Sequence, residues 1–222
     1  MITTILFDLD GTLIDTEPTA ARTVTDCFSR WGTRVSHEDA AHVTGRTWAS
    51  ALEFLYRKYP PPLPLKDATD LIMRAYRENL EKELIVVPGS VDAVRALGRN
   101  HRLAVVSGSG RVEILWALTK LGIQDQFEVI LGAEDYPRSK PEPDGYRKAL
   151  TLLRADAKHS LVFEDSMAGI ASARAAGLWV VAITATNHFQ QDVSMAHEQI
   201  PNLTPVTPQW IRELSHRLGL GC

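Results

Sequence analysis

Two aspartates separated by one residue follow the first apolar run of the chain. Asp8 and Asp10 lie in and just beyond the run Thr4–Leu9, and Gly11 comes next. Side chains alternate between the two faces of a strand, so both carboxylates are expected to point to the same side. Carboxylates this close repel each other and need a cation or a proton between them. The pair therefore indicates a metal site or an acid–base site, with an acidic loop that only closes a strand as the alternative.

A second acidic pair follows another apolar run. Glu164 and Asp165 come after Leu161–Phe163, and Ser166 is well placed to cap the helix predicted to follow. Magnesium prefers carboxylate oxygens and keeps several of its waters. Asp165 and Asp8 can hold Mg²⁺ together if their strands are neighbours in one sheet.

Two further segments have the chemistry to bind an anion. The loop 107–110, Ser-Gly-Ser-Gly, follows a predicted strand and precedes a helix, so its backbone N–H groups can approach a phosphate. It lacks the length and the ending of a P-loop, and a plain strand-to-helix turn is the alternative. Lys140 precedes Pro141, which biases the lysine to an extended backbone. The proline gives this lysine a defined direction, whereas an ordinary surface lysine would have none.

The elements around these segments must bring them together. Short apolar runs predict buried strands at Thr4–Leu9, Leu103–Ser107, Val129–Leu131, Leu161–Glu164 and Trp179–Ile183. Helical patterns cover 89–99, 110–121, 143–153 and 167–176, and a last helix is predicted within 208–218. This alternation predicts an α/β fold with a doubly wound parallel sheet, in which ligands bind at the C-terminal ends of the strands. All four candidate segments stand at or just beyond such ends.

One interval breaks the alternation. Roughly ninety residues separate the first two predicted strands, far more than a simple crossover between parallel strands needs. Helical patterns occupy 17–31, 37–43, 47–58 and 65–83. The proline-rich segment 60–64 cannot continue a helix and is expected to be a rigid link between two helices, with a peptide-recognition motif as the alternative. The sequence therefore predicts two domains, a core of residues 1–13 and 87–222 and a helical insert of residues 14–86.

The overall composition excludes several classes of protein. The 222 residues carry a net charge of −3 and no cluster of basic residues, so nucleic acid is not an expected partner. No apolar stretch approaches the ~20 residues that span a bilayer, so no membrane segment is predicted. Cys27 and Cys222 form no metal-binding or disulfide pattern, and Cys27 is expected to pack inside the insert. The sequence favours a cytoplasmic protein.

In combination, these segments resemble the haloacid dehalogenase-like (HAD) hydrolase superfamily. Four motifs stand in the family's order: Asp8-Leu9-Asp10-Gly11-Thr12, Ser107, Lys140-Pro141 and Glu164-Asp165-Ser166. The stretch 164–177 looks like the phosphatase and phosphomutase branch, and the resemblance covers nearly the whole chain. It implies a Rossmann-like core with a helical cap inserted after the first motif, in agreement with the predicted insert.

The resemblance also implies a division of roles. Asp8 is the expected nucleophile that forms an aspartyl-phosphate, and Asp10 the expected group that protonates the leaving oxygen and later activates water. Mg²⁺ is the expected cofactor, because a carboxylate attacks a phosphate dianion only when charge is neutralised. The expected metal ligands are Asp8, the backbone carbonyl of Asp10, Asp165 and, directly or through water, Glu164. The expected phosphate-binding and substrate-binding residues are Ser107, Gly108, Lys140, Thr12 and Arg46.

Relatives with other activities differ at single positions. Dehalogenases and phosphonate-cleaving relatives lack the second aspartate, so Asp10 argues against both activities. β-Phosphoglucomutase keeps that aspartate, but its cap histidine aligns with Ala20, which favours a phosphatase over a mutase. Arg46 resembles a cap arginine that reaches the distal part of the substrate, and a solvated arginine at a helix start is the alternative.

We therefore expect a Mg²⁺-dependent phosphatase that acts on a small phosphorylated metabolite of the sugar phosphate or phosphoglycolate type. Closure of the cap is expected to exclude bulk water during the reaction. The alternatives are a β-phosphoglucomutase-like sugar phosphomutase and a binding module that has lost turnover. The protein is expected to be a monomer or a weak dimer.

Overall fold

The computed structural model describes residues 1–40, 48–188 and 190–220. The chain divides into two units, Met1–Ile14 with Val86–Cys222, called here the sheet unit, and Asp15–Ile85, called here the helical unit. The expected boundaries, 13/14 and 86/87, lie one residue from this division. Arg46 lies outside the described residues.

One parallel sheet organises the sheet unit. Its strands are β1 (Thr4–Phe7), β2 (Arg102–Val106), β3 (Val129–Leu131), β4 (Ser160–Glu164), β5 (Trp179–Ile183) and β6 (Glu198–Ile200). Their order is β3-β2-β1-β4-β5-β6, and every neighbouring pair is parallel. The doubly wound α/β fold is thus confirmed. The sequence missed β6 because three residues that include a Glu and a Gln make no apolar run.

The helices are divided between the two units. The helical unit contains α1 (Glu17–Arg30), α2 (His37–Ala40), α3 (Trp48–Lys58) and α4 (Leu65–Lys82). The sheet unit contains α5 (Ser90–Leu97), α6 (Arg111–Lys120), α7 (Asp144–Leu153), α8 (Met167–Ala175) and α9 (Pro208–Arg217). Among the described residues, no helix combines the length and the apolar character needed to cross a bilayer.

Burial on both faces explains why the strands read as continuous apolar runs. Leu6, Val162 and Val180 lie in one cluster with residues of α7 and α8 and are fully buried. Near the other end of the chain, Trp210 of α9 packs against Phe163, with ring centroids 6.3 Å apart. Helices therefore cover the sheet, as parallel sheets require, and the predicted last helix completes the cover.

The helical unit has an apolar core of its own. Val24, Leu55 and Ile72 are fully buried there, and Cys27 lies in the same cluster, as predicted. The proline-rich segment connects α3 to α4, also as predicted. The unit therefore buries its amphipathic helices against one another.

A buried carboxylate adds a polar anchor to this unit. Asp39 accepts hydrogen bonds from Ser36 Oγ (2.6 Å), Lys58 Nζ (2.7 Å) and the Tyr59 hydroxyl (2.6 Å). These hydrogen bonds hold the pKa of the Asp39 carboxyl well below its usual range, and the bond from Lys58 has the largest effect. Asp39 thus joins the short helix α2 to the end of α3 through the charged form of its side chain.

His197 anchors the edge of the sheet by a neutral imidazole. Its Nδ1 accepts a hydrogen bond from the Val180 backbone N–H at 3.0 Å, and its ring lies 4.5 Å from the Trp179 ring. The Arg174 guanidinium contacts the other side of the ring. Burial, and after it Arg174, lowers the pKa of His197 below 6.5. Protonation would remove the acceptor and place two cations in contact.

We expect this histidine to weaken the fold in acid. A group whose pKa is lowered by folding contributes stability that is complete above pH 6.5 and is lost as the pH falls through the folded-state pKa. In His197→Asn, an amide oxygen can accept from Val180 without titrating. Urea unfolding between about pH 7.5 and about pH 5 should therefore show a smaller loss of stability in this variant than in the wild type.

The matched control is His216→Asn, at an exposed position of α9. It should keep the wild-type pH dependence. Identical pH dependence in the wild type and His197→Asn would rule out this role of His197.

Candidate active site

The strand order brings three of the predicted motifs to one edge. The central strand β1 pairs with β2 on one side and with β4 on the other. Phe7 is opposite Phe163, so Asp8 follows β1 at the level where β4 ends in Glu164. The order in which the strands are added changes direction at β1, because β2 and β3 lie on one side of it and β4 lies on the other. Ligands bind at such switch points in open α/β sheets.

Lys140 joins two carboxylates at this edge. Its Nζ donates to Asp8 Oδ1 and to Glu164 Oε1, each at 2.5 Å. The Asp8 and Glu164 side chains are almost completely buried, and the lysine side chain is 14% exposed. Burial by itself would lower the pKa of Lys140, but the Asp8 and Glu164 carboxylates raise it well above the ordinary value. The lysine is therefore a permanent cation between two acids.

The charge at this edge is not balanced by the lysine alone. The pKa of Asp8 is raised to about 8, mainly by burial; Lys140 opposes this increase, and Glu164 and Asp10 contribute to it. One carboxylate oxygen from each of Asp8, Glu164 and Asp165 lies within 4.8 Å of the others. A buried group of three carboxylates with one ammonium suits an added cation, and an all-oxygen donor set suits a hard divalent ion.

Asp10 is held differently from Asp8. Its Oδ2 accepts hydrogen bonds from Ser109 Oγ at 2.7 Å and from Ser107 Oγ at 3.4 Å. Strand β1 ends at Phe7, two residues earlier than predicted, so the alternation of side chains along a strand does not govern Asp10. The hydroxyl groups give this carboxylate its own place beside the loop that follows β2.

A tight turn after Asp10 brings the chain close to Asp165. The Gly11 N–H donates to the Ile14 carbonyl at 2.6 Å, and Gly11 has φ = +84°. A Cβ atom on Gly11 would lie 2.1 Å from Asp165 Oδ2. Thr186 Oγ1, which follows β5, donates to the Gly11 carbonyl at 2.6 Å. Only glycine permits both the backbone conformation and this approach.

The loop after β2 is fixed by hydrogen bonds at Ser107 and is exposed at Gly108. Ser107 is buried, its Oγ accepts from the Ser109 N–H at 3.0 Å, and its carbonyl accepts from the Tyr136 hydroxyl at 2.6 Å. Gly108 is exposed, and a Cβ there would meet nothing within 4 Å. The loop therefore offers an accessible stretch of backbone on a fixed base, which suits the predicted binding of an anion.

For one predicted residue, Thr12, the described part of the structure shows no hydrogen bond to the other residues at this edge. Thr12 is fully buried, and its Oγ1 has no hydrogen-bond partner in the part of the chain that the structure describes. Its assignment to phosphate binding stays a prediction, as does that of Arg46. The structure brings together Asp8, Asp10, Ser107, Lys140, Glu164 and Asp165.

Four polar residues that support this cluster were not predicted. They are Ser109, which binds Asp10, Tyr136, which binds the Ser107 carbonyl, Tyr146, which binds Glu164, and Thr186, which binds the Gly11 carbonyl. Ser109 was within the loop already singled out, and its hydroxyl was a usable signal. The two tyrosines and Thr186 have no such signal, because an isolated aromatic or hydroxyl residue in a sequence is ordinarily part of the core or surface.

Glu164 receives close support from the start of α8. Ser166 caps this helix as predicted, with its Oγ accepting from the Gly169 N–H at 3.0 Å. The same hydroxyl and the backbone N–H groups of Asp165 and Ser166 donate to Glu164 Oε2 at 3.1–3.2 Å. A Cβ on Gly169 would lie 1.8 Å from Glu164 Oε1. The first turn of α8 thus closes on the carboxylate without room for a side chain.

Comparisons with known proteins agree with this geometry. The family model described as haloacid dehalogenase-like hydrolase matches residues 5–183. The chain is 29% identical over 202 residues to validoxylamine A 7'-phosphate phosphatase of Streptomyces hygroscopicus subsp. limoneus, covering 90% of this chain and 94% of that one. It is 31% identical over 221 residues to protein CbbY of Rhodobacter capsulatus, covering 95% and 97%. CbbY from Rhodobacter sphaeroides, solved in complex with phosphate, superposes with a TM-score of 0.78 at 25% identity, covering 92% and 96%.

Gly169→Ala tests how tightly α8 closes on Glu164. Helix propensity alone would make alanine more favourable than glycine by about 1 kcal/mol. The contact with Glu164 Oε1 instead forces the helix or the carboxylate to move, and we expect a net destabilisation of about 1–3 kcal/mol in urea unfolding.

The control for this variant is Gly108→Ala, where a Cβ meets open space. Its unfolding free energy should stay within about 0.5 kcal/mol of the wild type. A stabilised Gly169→Ala protein would contradict the close packing described here.

Proposed function

Because this chain belongs to the haloacid dehalogenase-like hydrolase family and is a phosphoric monoester hydrolase, we propose that it is a Mg²⁺-dependent phosphatase that works through an aspartyl-phosphate. The proposed substrate is a small phosphorylated metabolite of the sugar phosphate or phosphoglycolate type. The phosphatase relative named above acts, by its name, on a small phosphorylated molecule. The net charge of −3 also favours a small molecule over a nucleic acid.

One observation carries the proposal. The Asp8 carboxylate is buried at the switch point of the sheet, is bound by Lys140 at 2.5 Å, and lies within 4.8 Å of the Glu164 and Asp165 oxygens. Such a group is suited to attack phosphorus when the repulsion between its charge and that of the phosphate is removed. Lys140 is the part of that compensation which the chain itself supplies.

The remaining compensation is assigned to a metal ion. The residues proposed to hold it are Asp8, the backbone carbonyl of Asp10 and Asp165, which supply oxygen ligands, with Glu164 contributing directly or through water. When bound, Mg²⁺ would neutralise charge on the phosphoryl oxygens and orient the ester.

Asp8 and Asp10 divide the chemical steps between them. A carboxylate oxygen of Asp8 forms a bond to phosphorus while the bond from phosphorus to the ester oxygen breaks, and protonated Asp10 gives its proton to that oxygen. Asp10 then takes a proton from water, whose oxygen attacks phosphorus and releases phosphate and the Asp8 carboxylate. The hydrogen bonds from Ser107 and Ser109 keep Asp10 beside the loop where the phosphate is proposed to bind.

Lys140 and the loop 107–110 are proposed to bind the transferring phosphoryl group. Two of the three N–H donors of the ammonium go to Asp8 and Glu164, and the third is assigned to a phosphoryl oxygen. Gly108 supplies accessible backbone on the other side. Both contacts become stronger as negative charge develops during transfer, so they act mainly on kcat.

The test is phosphate release from p-nitrophenyl phosphate and from a panel of phosphorylated metabolites with Mg²⁺ present. Asp8→Asn keeps the shape of the side chain but removes the nucleophile, and we expect kcat to fall by at least about a thousandfold. Removal of divalent metal with EDTA should abolish turnover, and added Mg²⁺ should restore it.

Asp92→Asn, at an exposed position in α5, is the matched control and should retain full activity. A wild-type protein that is folded and releases no phosphate from any ester of the panel would refute the proposed function.

A phosphomutase would use the same cluster, so product analysis has to distinguish the two activities. Ala20, a buried residue of α1, has no titratable side chain at the position where the resemblance places a mutase histidine. With β-glucose 1-phosphate and the 1,6-bisphosphate, we expect net release of inorganic phosphate and no efficient formation of glucose 6-phosphate. Efficient isomerisation without net phosphate release would establish the mutase instead.

A further inference from the structure

Glu164 accepts more hydrogen bonds than a carboxylate ordinarily has room for. Its Oε1 accepts from Lys140 Nζ at 2.5 Å and from the Tyr146 hydroxyl at 2.7 Å. Its Oε2 accepts from the Asp165 N–H, the Ser166 N–H and the Ser166 hydroxyl, as described above. A carboxylate offers about four lone-pair positions. In this arrangement Glu164 has five donors, more than these positions, and is fully buried.

Tyr146 supplies the donor that stands apart from the family motifs. It lies in α7, is fully buried, and packs in the apolar cluster between this helix and the sheet. Burial, and then the Glu164 charge, raises the pKa of Tyr146 well above 10, so the hydroxyl remains a donor. Its ring also lies under the ammonium of Lys140, with Nζ 5.2 Å from the ring centroid. One side chain therefore contacts both members of the Lys140–Glu164 pair.

We propose that Tyr146 is a positioning residue that holds Glu164 against Lys140, so that Glu164 serves as the partner of the lysine while Asp8 and Asp165 supply the carboxylate ligands of the metal ion. The inference deepens the proposed function and rests on it. In this inference Glu164 binds Lys140 and is not one of the carboxylate ligands of the metal ion.

The charges explain why the hydroxyl matters. Lys140 lies between two carboxylates at equal distances of 2.5 Å. The neutral Tyr146 donor stabilises part of the charge on Glu164 Oε1, and without it the ammonium becomes the only side-chain donor to that oxygen. The lysine is then drawn towards Glu164 and away from Asp8 and the transferring phosphoryl group. The loss is largest when charge develops on phosphorus, so it should reduce kcat more than substrate affinity.

The first experiment compares Tyr146→Phe with Tyr56→Phe in steady-state kinetics. Tyr146→Phe keeps the ring beneath Lys140 and removes only the hydroxyl. We expect kcat to fall about tenfold, KM to change by less than about twofold, and inhibition by orthovanadate, which mimics the transition state, to weaken in parallel with kcat. Tyr56 is a buried tyrosine of the helical unit whose hydroxyl bonds Thr69, so Tyr56→Phe should leave all three quantities unchanged.

The second experiment measures Mg²⁺ binding by calorimetry and needs no turnover. Tyr146→Phe should keep the Kd within about threefold of the wild type, because Asp8 and Asp165 are untouched. Glu164→Gln removes a charge but no ligand. We expect the increase in the Kd for Mg²⁺ to be at least about tenfold smaller in Glu164→Gln than in Asp165→Asn. Equal weakening by Glu164→Gln and Asp165→Asn would show that Glu164 is a direct ligand and would overturn the proposal.

The failures of the two proposals can be told apart. Absence of phosphate release by the wild type refutes the phosphatase, and calorimetry still decides the role of Glu164. A wild type that turns over, together with a Tyr146→Phe variant that keeps wild-type kcat, refutes the positioning role alone. A fall in kcat that comes with an equal rise in KM would assign Tyr146 to general substrate affinity and would also overturn the proposal.

Discussion

The ammonium of Lys140, held between Asp8 and Glu164, is the interaction on which the rest of the site depends. Three carboxylates are buried at one edge of the sheet, and one lysine compensates only part of their charge. Burial, and after it the charges of Glu164 and Asp10, raise the pKa of Asp8, so the charged form of this side chain is costly here. The same imbalance suits the site to a dication, which would offset the excess negative charge and thereby allow a phosphoryl group to approach Asp8. The electrostatic cost of the buried acids and the proposed binding of a metal ion thus have one cause.

Neutral hydrogen-bond donors surround the acids and partly offset this cost, and glycine occupies the positions where the backbone comes close to a carboxylate. Ser109, Tyr136, Tyr146 and Thr186 each bind one member or one backbone carbonyl of the cluster without adding a charge. A further cationic side chain would repel Lys140 and change the charge of the site, whereas a hydroxyl stabilises an acid and leaves the charge unchanged. Gly11 and Gly169 let the chain approach the carboxylates of Asp165 and Glu164 to distances that any Cβ would prevent.

The two units are built on different principles, and the candidate site belongs to one of them. Every residue of the cluster lies in the sheet unit, where parallel strands align the ends of segments that are far apart in sequence. The helical unit has an independent apolar core and a buried anchor at Asp39. The choice of substrate remains a proposal, for which the similarity to a named phosphatase of a small molecule is the support.

Much of the fold and part of the candidate site could be predicted from the sequence. Buried parallel strands leave continuous apolar runs, so five of the strands and the helices between them were predicted almost to the residue, and acidic pairs after two of these runs indicated a cation-binding edge. Strand β6, the early end of β1 and the hydroxyl donors were not predicted. Tyr146 lies 18 residues before Glu164 and looks in sequence like part of an apolar helix face. Only the strand order decides that its hydroxyl meets that carboxylate, because hydrogen-bond partners depend on which segments become neighbours, and local periodicity carries no information about neighbours that are distant in sequence.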